Sequence, residues 1–371
     1  MTIRLIALIS LLLGTLFTSS NQPSDWKNPR GNAQLQGATN VEFPQKIKKI
    51  WSYDAEGIFK SAPVVADGKI IVGSTNGDML CLSLSGKLLW KFVSGNSIEA
   101  PAIIQNGIVY FGNLSGSLFA LDLKTGKKKW EYKTGNQIMG APAYIEFGNQ
   151  KIIAVGSYDF MLHGVNATTG KMLWTYESDN YLNSSPAVAN GKAVFGGCDG
   201  FVHIVDLKNG KPDSKVEVAT YVASSPAIME NRAYVGDYSG GITCIDLSQK
   251  KILWKYENKE SDLPFLASPS VIDKKLIIGS RDKFIYCFDL KNGKIIWKKN
   301  SGNRIEASTV VNKKQVLLVN MRGDLMLIDI SDGKTVWTYE LGTSVVNTPA
   351  VVEEGIVVAG SDGNVYFFND K

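Results

Sequence analysis

The fold is decided by the stretch Leu121-Asp122-Leu123-Lys124-Thr125-Gly126-Lys127-Lys128-Lys129-Trp130, because variants of it recur along the chain. Its apolar residues end one strand, the glycine marks a tight turn, and the tryptophan belongs to the next strand. Tryptophans in this position follow one another at intervals of 39, 40, 44, 80, 43 and 40 residues: Trp51, Trp90, Trp130, Trp174, Trp254, Trp297 and Trp337. The chain is therefore one module repeated.

The interval of 80 residues hides a further module. Halfway through it, the turn Asp206-Leu207-Lys208-Asn209-Gly210-Lys211 is followed by Val216 in place of the tryptophan. A second marker is a small residue followed by proline and two apolar residues, as in Ser225-Pro226-Ala227-Ile228. It is also present in eight copies, and one copy, Ser308-Thr309-Val310-Val311, lacks the proline. Both markers predict eight modules.

Each module contains four short apolar runs separated by turn residues. In the second module the predicted strands are Ala102–Gln105, Ile108–Gly112, Ser117–Leu123 and Lys129–Tyr132. A period of about 40 residues with four strands is typical of propeller blades, not of helical repeats. We therefore predict an all-β, eight-bladed β-propeller with strands A to D running outward from the channel in each four-stranded antiparallel blade.

The two ends of the propeller region predict how the ring closes. The last module reaches Lys371 after its third strand, and a spare tryptophan strand at about residues 46–53 precedes the first module. Pairing these two segments completes the last blade and removes a free sheet edge. We predict a propeller over residues 46–371.

The first residues predict export. Arg4 precedes the mostly apolar residues 5–17 and then Thr18-Ser19-Ser20, a pattern typical of a secretory signal peptide over residues 1–20. The apolar run is shorter than the roughly 20 residues that a transmembrane helix needs, although an uncleaved anchor is an alternative. We expect a periplasmic, extracellular or cell-envelope protein without a transmembrane segment once the signal is removed. Residues 21–45 are interpreted as a lead segment, or strap, lying on the propeller.

The turn stretches resemble the tryptophan-docking motif of pyrroloquinoline-quinone-like (PQQ-like) propellers, both in the second module and in Asp289-Leu290-Lys291-Asn292-Gly293-Lys294-Ile295-Ile296-Trp297. The resemblance covers roughly residues 46–371. It implies that each indole packs against a turn glycine and against a small residue before the aspartate, which is Ala120 in the second module. We therefore expect the seven repeat tryptophans to be structural docking residues.

Composition and cysteines set further limits. The net charge of +5 is small and dispersed, so we expect no nucleic-acid partner. Cys81, Cys244 and Cys287 occupy the position of Ala120 in their modules, and Cys198 lies in a predicted B–C loop. Equivalent positions of neighbouring blades are about 10 Å apart, the spacing of packed sheets, which is beyond disulfide reach. We expect four free thiols.

Catalytic motifs are missing from the sequence. The quinoprotein dehydrogenases of the resembling family hold PQQ and calcium beside a vicinal cysteine disulfide, whereas this chain has no Cys-Cys pair and no long insertions. We therefore predict that the protein is not an enzyme and has no catalytic, cofactor or metal site. We expect it to bind neither PQQ nor calcium. His163 and His203 align with Phe119, and we interpret them as filling an aromatic-sized slot in preference to binding a metal.

The D–A and B–C loops form the candidate recognition face. Before each proline marker an apolar residue, interpreted as packing, precedes a residue whose identity varies, and function is concentrated in such loops. Together with neighbouring loop residues, the variable positions give the predicted partner-binding set: Lys60, Glu99, Met139, Tyr181, Asn183, Tyr221, Leu266, Arg304, Glu306 and Val346. A solvated rim without a ligand is the alternative, and the lysines of the C–D turns at the other end could meet an anionic surface.

Two function classes follow. The first is an exported, non-catalytic scaffold that we expect to be a monomer. It is similar to the BamB-type outer-membrane assembly factors, and this resemblance implies an envelope protein partner. In that family an Arg and Leu residues before the fourth proline marker and Asp residues before the fifth contact the partner. The matching stretches here, Asn180-Tyr181-Leu182-Asn183 and Thr220-Tyr221-Val222-Ala223, lack the Arg and the Asp residues, and no lipid-anchor cysteine follows the leader. The second class is a propeller that binds a small molecule or glycan, or a degenerate quinoprotein-type redox protein.

Overall fold

A computed structural model describes residues 25–44, 46–218, 221–222 and 224–370, so the predicted signal peptide lies outside the described residues. The described chain folds into eight four-stranded antiparallel sheets arranged as an eight-bladed β-propeller. Strands B and C are buried along most of their length, whereas the outermost strand D is largely exposed. This confirms the predicted fold class.

The blades follow one another in the order of the chain. Blade one comprises β2 (Val64–Ala66), β3 (Lys69–Gly73), β4 (Asp78–Ser83) and β5 (Leu88–Val93); blade two, β6 (Ile103–Gln105), β7 (Ile108–Gly112), β8 (Ser117–Asp122) and β9 (Lys128–Lys133); blade three, β10 (Ala143–Phe147), β11 (Gln150–Gly156), β12 (Met161–Asn166) and β13 (Met172–Glu177); blade four, β14 (Ala187–Ala189), β15 (Lys192–Gly196), β16 (Phe201–Asp206) and β17 (Pro212–Glu217).

The second half repeats the pattern. Blade five comprises β18 (Ala227–Met229), β19 (Arg232–Gly236), β20 (Gly241–Asp246) and β21 (Lys251–Glu257); blade six, β22 (Ser270–Ile272), β23 (Lys275–Gly279), β24 (Phe284–Asp289) and β25 (Ile295–Asn300); blade seven, β26 (Val310–Val311), β27 (Gln315–Val319), β28 (Asp324–Asp329) and β29 (Thr335–Glu340); blade eight, β30 (Ala350–Val352), β31 (Gly355–Ala359), β32 (Asn364–Asn369) and β1 (Lys48–Asp54).

Strand β1 closes the ring. It pairs antiparallel with β32, with Trp51 opposite Phe367, and the two rings stack at a centroid distance of 5.4 Å. Because β1 comes from the beginning of the propeller and β32 from its end, the last blade is complete only when the two meet. The predicted ring closure is confirmed, with the strand beginning at Lys48.

Repeat tryptophans join neighbouring blades. Trp90 lies opposite Cys81 in its own blade, and its Nε1 donates a hydrogen bond to the Leu123 carbonyl of the next blade at 2.9 Å. Gly126 of that next turn has a φ of 69°, and a Cβ placed on it would lie 2.7 Å from the Trp90 ring. Only glycine fits both the backbone and the ring, so the turn glycine is required by the docking.

The same arrangement recurs around the ring. Glycines of the following blade meet the indoles of Trp51, Trp130, Trp174, Trp254 and Trp297. Cys244 and Cys287 lie opposite Trp254 and Trp297, as Ala120 lies opposite Trp130, which confirms their equivalence. The expected small residue is missing at two positions, because Trp51 and Trp337 lie opposite Phe367 and Leu327. Trp337 differs further, since no described glycine has its ring among the nearest atoms.

Candidate functional site

The D–A and B–C loops lie together at one end of the ring. Each D–A loop accepts a backbone hydrogen bond from the B–C loop of the blade that follows, and the eight donor and acceptor pairs are Thr75 to Ile58, Leu114 to Ser97, Tyr158 to Gln137, Cys198 to Tyr181, Tyr238 to Tyr221, Arg281 to Pro264, Met321 to Arg304 and Ser361 to Ser344. We call this end the mouth of the ring. Its eight recurring apolar residues are buried, which confirms their packing role: Phe59, Ile98, Ile138, Leu182, Val222, Phe265, Ile305 and Val345.

Residues 26–39 of the lead segment run round the inside of the channel. Its backbone forms hydrogen bonds with the innermost strands of six blades in the order of the chain, through Val65, Ile104, Val188, Ile228, Val271 and Val311. The bonds satisfy backbone groups that strand A would otherwise expose to the channel. Trp26 anchors the start of the segment, with only 2% of its surface exposed.

Arg30 crosses the channel beneath the mouth. It lies between segment residues that bond to blades two and four, yet its guanidinium donates to Thr309 O at 2.8 Å and Pro269 O at 2.6 Å, in blades seven and six. The side chain is 4% exposed, and burial lowers its pKa to about 9, so it stays charged at neutral pH. Sequence reasoning assigned Arg30 only to the lead segment and missed this role.

A central cavity of about 170 Å³ opens above Arg30. Four predicted site residues line it, Lys60, Leu266, Glu306 and Val346. Lys60 Nζ lies 2.9 Å from Glu99 Oε1, and Arg281 Nη2 lies 2.6 Å from Glu306 Oε1. The structure therefore brings half of the predicted set to the channel and its rim.

Aromatic side chains form an exposed patch on the mouth over blades three to five. We define the aromatic patch as Tyr158, Phe160, Tyr181, Tyr221 and Tyr238. The Tyr181 ring lies 4.7 Å from Tyr158 and 5.1 Å from Phe160 between centroids, and Tyr221 lies 6.2 Å from Tyr238. Phe160, Tyr181, Tyr221 and Tyr238 are 39%, 41%, 53% and 48% exposed.

Tyr158 is the half-buried member of this patch. Burial raises its pKa, and the neighbouring Cys198, Tyr238, Tyr181 and Glu99 raise it further. Tyr181 and Tyr221 belong to the predicted set, whereas Tyr158, Phe160 and Tyr238 were missed. The signal was present in the sequence, since Tyr158-Asp159-Phe160 places two aromatic residues in a single B–C turn.

The remaining predicted residues lie apart from both features. Arg304 is exposed on the loop entering blade seven, two blades beyond Tyr221. Met139 and Asn183 are half-buried beside the packing residues, and neither lines the central cavity. The structure therefore separates Arg304 from the two tyrosines with which it was grouped.

The two histidines form buried hydrogen-bond chains. Tyr176 bonds to His203 Nδ1 at 2.9 Å, and His203 Nε2 lies 2.9 Å from Asp199. Tyr132, His163 and Asp159 repeat the arrangement in the neighbouring blade. Burial raises the pKa of Asp199, but the hydrogen bond and charge of His203 outweigh it and hold that pKa below its usual value.

The aromatic-slot interpretation of both histidines agrees with these contacts. The His203 ring stacks on Phe195 at 5.2 Å, and the His163 ring meets the Tyr132 ring edge-on at 5.7 Å. The carboxylate partners were missed, although an aspartate four residues before each histidine was visible in the sequence. No cluster of three or more potential metal ligands is found among the described residues. The part of the chain that the structure describes also contains no helix long and apolar enough to cross a bilayer.

The sequence of the propeller matches a known protein family. A family profile described as "Outer membrane protein assembly factor BamB" matches residues 46–138, 84–299 and 281–371. The chain belongs to this BamB family. BamB of Xanthomonas campestris pv. campestris is 27% identical over 158 residues, which cover 37% of this chain and 39% of that protein.

Quinoprotein dehydrogenases are similar to this chain to about the same degree as the BamB relative. The dehydrogenase subunit of the quinone alcohol dehydrogenase of Gluconobacter oxydans is 30% identical over 164 residues, covering 38% of this chain and 21% of that protein. The matched stretches thus span well under two thirds of either relative. The crystal structure of BamB from Moraxella catarrhalis has a TM-score of 0.75 at 17% identity, covering 88% of this chain and 98% of that one, which shows the shared fold.

Proposed function

We propose that this protein is an exported, non-catalytic β-propeller that binds a protein partner in the cell envelope through its aromatic patch. The family match supports the envelope setting, because the family profile and the Xanthomonas campestris relative are named as an outer membrane assembly factor. The leader-like residues 1–20 support export to the periplasm or the cell surface. We further propose that the propeller acts as a monomer.

The aromatic patch is the observation that carries this function. Tyrosines offer large, rigid contact areas and dominate the binding energy of many protein interfaces. Several exposed apolar side chains in one place also mark interaction surfaces. At equivalent B–C positions of other blades the residues are small, polar or aliphatic, for example Thr75, Leu114 and Ser361. The patch therefore distinguishes one sector of an otherwise repetitive mouth.

The central cavity fits a calcium–quinone centre poorly. Glu306 is the one carboxylate that lines it among the described residues, and Arg281 already binds its Oε1 through Nε at 2.8 Å and Nη2 at 2.6 Å. The buried positive charge of Arg30 below would repel a calcium ion. These features support a role without PQQ, calcium or turnover. Calcium-dependent dye reduction in the presence of PQQ would contradict it.

A capture experiment tests the proposal. The mature protein is used as bait in envelope extract, and Tyr181→Ala/Tyr221→Ala is compared with Met172→Ala/Val336→Ala, a control that removes side chains 58% and 55% exposed on outer strands. We expect the tyrosine variant to lose the captured protein while the control retains it. Undiminished capture by the tyrosine variant would rule out the aromatic patch.

A glycan is the second candidate ligand, because tyrosine rings also stack on sugar rings and the exposed tyrosines would serve either ligand. Protease treatment of the extract separates the two. A protein partner predicts that capture disappears after proteolysis, whereas material that remains bound to the patch after proteolysis would identify a glycan binder. Arg304→Ala is expected to leave capture unchanged in both cases, since Arg304 lies two blades beyond Tyr221.

A further inference from the structure

One position of the blades, just before the innermost strand, differs between the two halves of the ring. Two positions before strand A, blades one and three have alanine, at Ala62 and Ala141, and blade two has Pro101, whereas blades four to seven have serine. We call Ser185, Ser225, Ser268 and Ser308 the hydroxyl arc. All four line the central cavity, so the hydroxyl groups lie on one side of it.

The hydroxyl arc joins successive blades through its oxygens. Backbone N–H groups donate to the four Oγ atoms at 2.8–3.1 Å, from Ala141 to Ser185, from Ser185 to Ser225, from Ser225 to Ser268 and from Ser268 to Ser308. A serine hydroxyl has one donor hydrogen besides its acceptor lone pairs. Since each oxygen is used as an acceptor and no described residue accepts from these hydroxyls, the arc offers four hydrogen-bond donors to the cavity.

Arg30 adds a positive charge to the same cavity. Its described acceptors are all uncharged: Thr309 O, Pro269 O, Ser268 O and Ser270 Oγ. Its Nε is buried and has no acceptor among the described residues. A buried guanidinium without a carboxylate is unfavourable by itself, and it gains most from a nearby negative charge.

The other charges of the cavity are already paired. Lys60 is held by Glu99 at 2.9 Å, and Glu306 by Arg281 at 2.6 Å. Among the described lining residues, Arg30 is thus the cation whose charge is left without an opposite partner. A bound anion would be stabilised by the neutral hydroxyl donors on one side of the cavity and by the uncompensated charge of Arg30 below.

We propose that the central cavity binds a small oxyanion, a carboxylate or phosphate group, held by the hydroxyl arc above the charge of Arg30. The volume of about 170 Å³ admits a small organic acid or inorganic phosphate. Oxyanion binding does not depend on partner docking at the aromatic patch, because the two features use different residues.

Isothermal titration calorimetry of the mature protein tests this site, with succinate and inorganic phosphate as separate probes at constant ionic strength. We expect saturable one-to-one binding of at least one probe, and the stronger probe indicates whether the cavity prefers a carboxylate or a phosphate. Ser225→Ala/Ser268→Ala removes two donors and should weaken binding at least tenfold. The alanines of blades one and three, Ala62 and Ala141, indicate that the fold accepts this change.

Two further variants complete the test. Ser83→Ala/Ser85→Ala removes a hydrogen-bonded serine pair at a C–D turn, at the opposite end of the ring, and should bind like the parent protein. Arg30→Gln should abolish binding; if it does not fold, the serine variant decides. Absence of saturable binding for both probes, or equal affinity in Ser225→Ala/Ser268→Ala, would overturn the oxyanion site.

Discussion

The outer wall of the ring and its mouth are made by the same eight modules, yet their residues repeat to different degrees. On the wall, an indole between a small residue and a turn glycine recurs in five blades, because both contacts leave little room for substitution. At the mouth, the buried apolar residue recurs while its neighbour changes from Lys60 to Glu99 to Leu266. Packing fixes the identity of residues on the outer wall. Residues at the mouth can vary, as binding to a specific partner would require.

Loss of ring closure is expected to reduce the stability of the propeller more than any other change. A chain beginning at Ala55 lacks β1 and leaves β32 as an open edge, so we expect it to lose cooperative unfolding. A chain beginning at Lys46 keeps β1 but lacks the lead segment and the residues before it. It should melt cooperatively at a lower temperature. Thermal unfolding followed by circular dichroism compares them, and a chain from Ala55 that melts like the full-length protein would refute closure by β1.

Tryptophan docking allows two positions of the outer wall, Trp90 and Trp337, to be compared. Trp90→Ala removes a ring that contacts Cys81 and Gly126 and a hydrogen bond to Leu123, so we expect a loss of about 3–5 kcal/mol. Trp337 has no glycine of a following turn against it, and Trp337→Ala should cost clearly less. Denaturant unfolding measures both, and equal losses would show that the glycine contact does not set the energy.

The histidine chains give a smaller, pH-dependent effect. The folded pKa of Asp199 is lowered, so its contribution to stability is present above about pH 4, the unfolded value, and is lost as pH falls through the folded pKa. Asp199→Asn should cost about 1–2 kcal/mol at pH 6 and less at pH 3. A penalty that stays constant between these pH values would show that the carboxylate charge is not involved.

Thiol reactivity tests the burial of the wall cysteines without any substitution. Burial raises the pKa of Cys81, Cys244 and Cys287 to about 12, so their reactive thiolates are scarce in the folded protein. We expect Ellman's reagent to modify only half-buried Cys198, slowly, under native conditions and all four thiols in denaturant. Two or fewer thiols per denatured chain would contradict the equivalence of these cysteines with Ala120.

Periodicity made the wall predictable. The strands of blade two were placed to within about a residue, and ring closure followed from counting tryptophan strands, because both depend on local patterns that repeat. The positions of Arg30 and Tyr238 could not be found that way. Arg30 reaches its partners only after the lead segment has passed round the channel, and Tyr238 meets Tyr221 only when two loops of the folded ring come together.

Site-specific photo-crosslinking in intact cells tests the division between wall and mouth most directly. A benzoylphenylalanine at position 181 or 221 replaces a tyrosine of the aromatic patch, and one at position 172 or 336 replaces an exposed residue of the outer wall. We predict that the first pair crosslinks to one protein partner and the second pair does not. Crosslinks from positions 172 and 336, with none from 181 or 221, would contradict partner binding at the mouth.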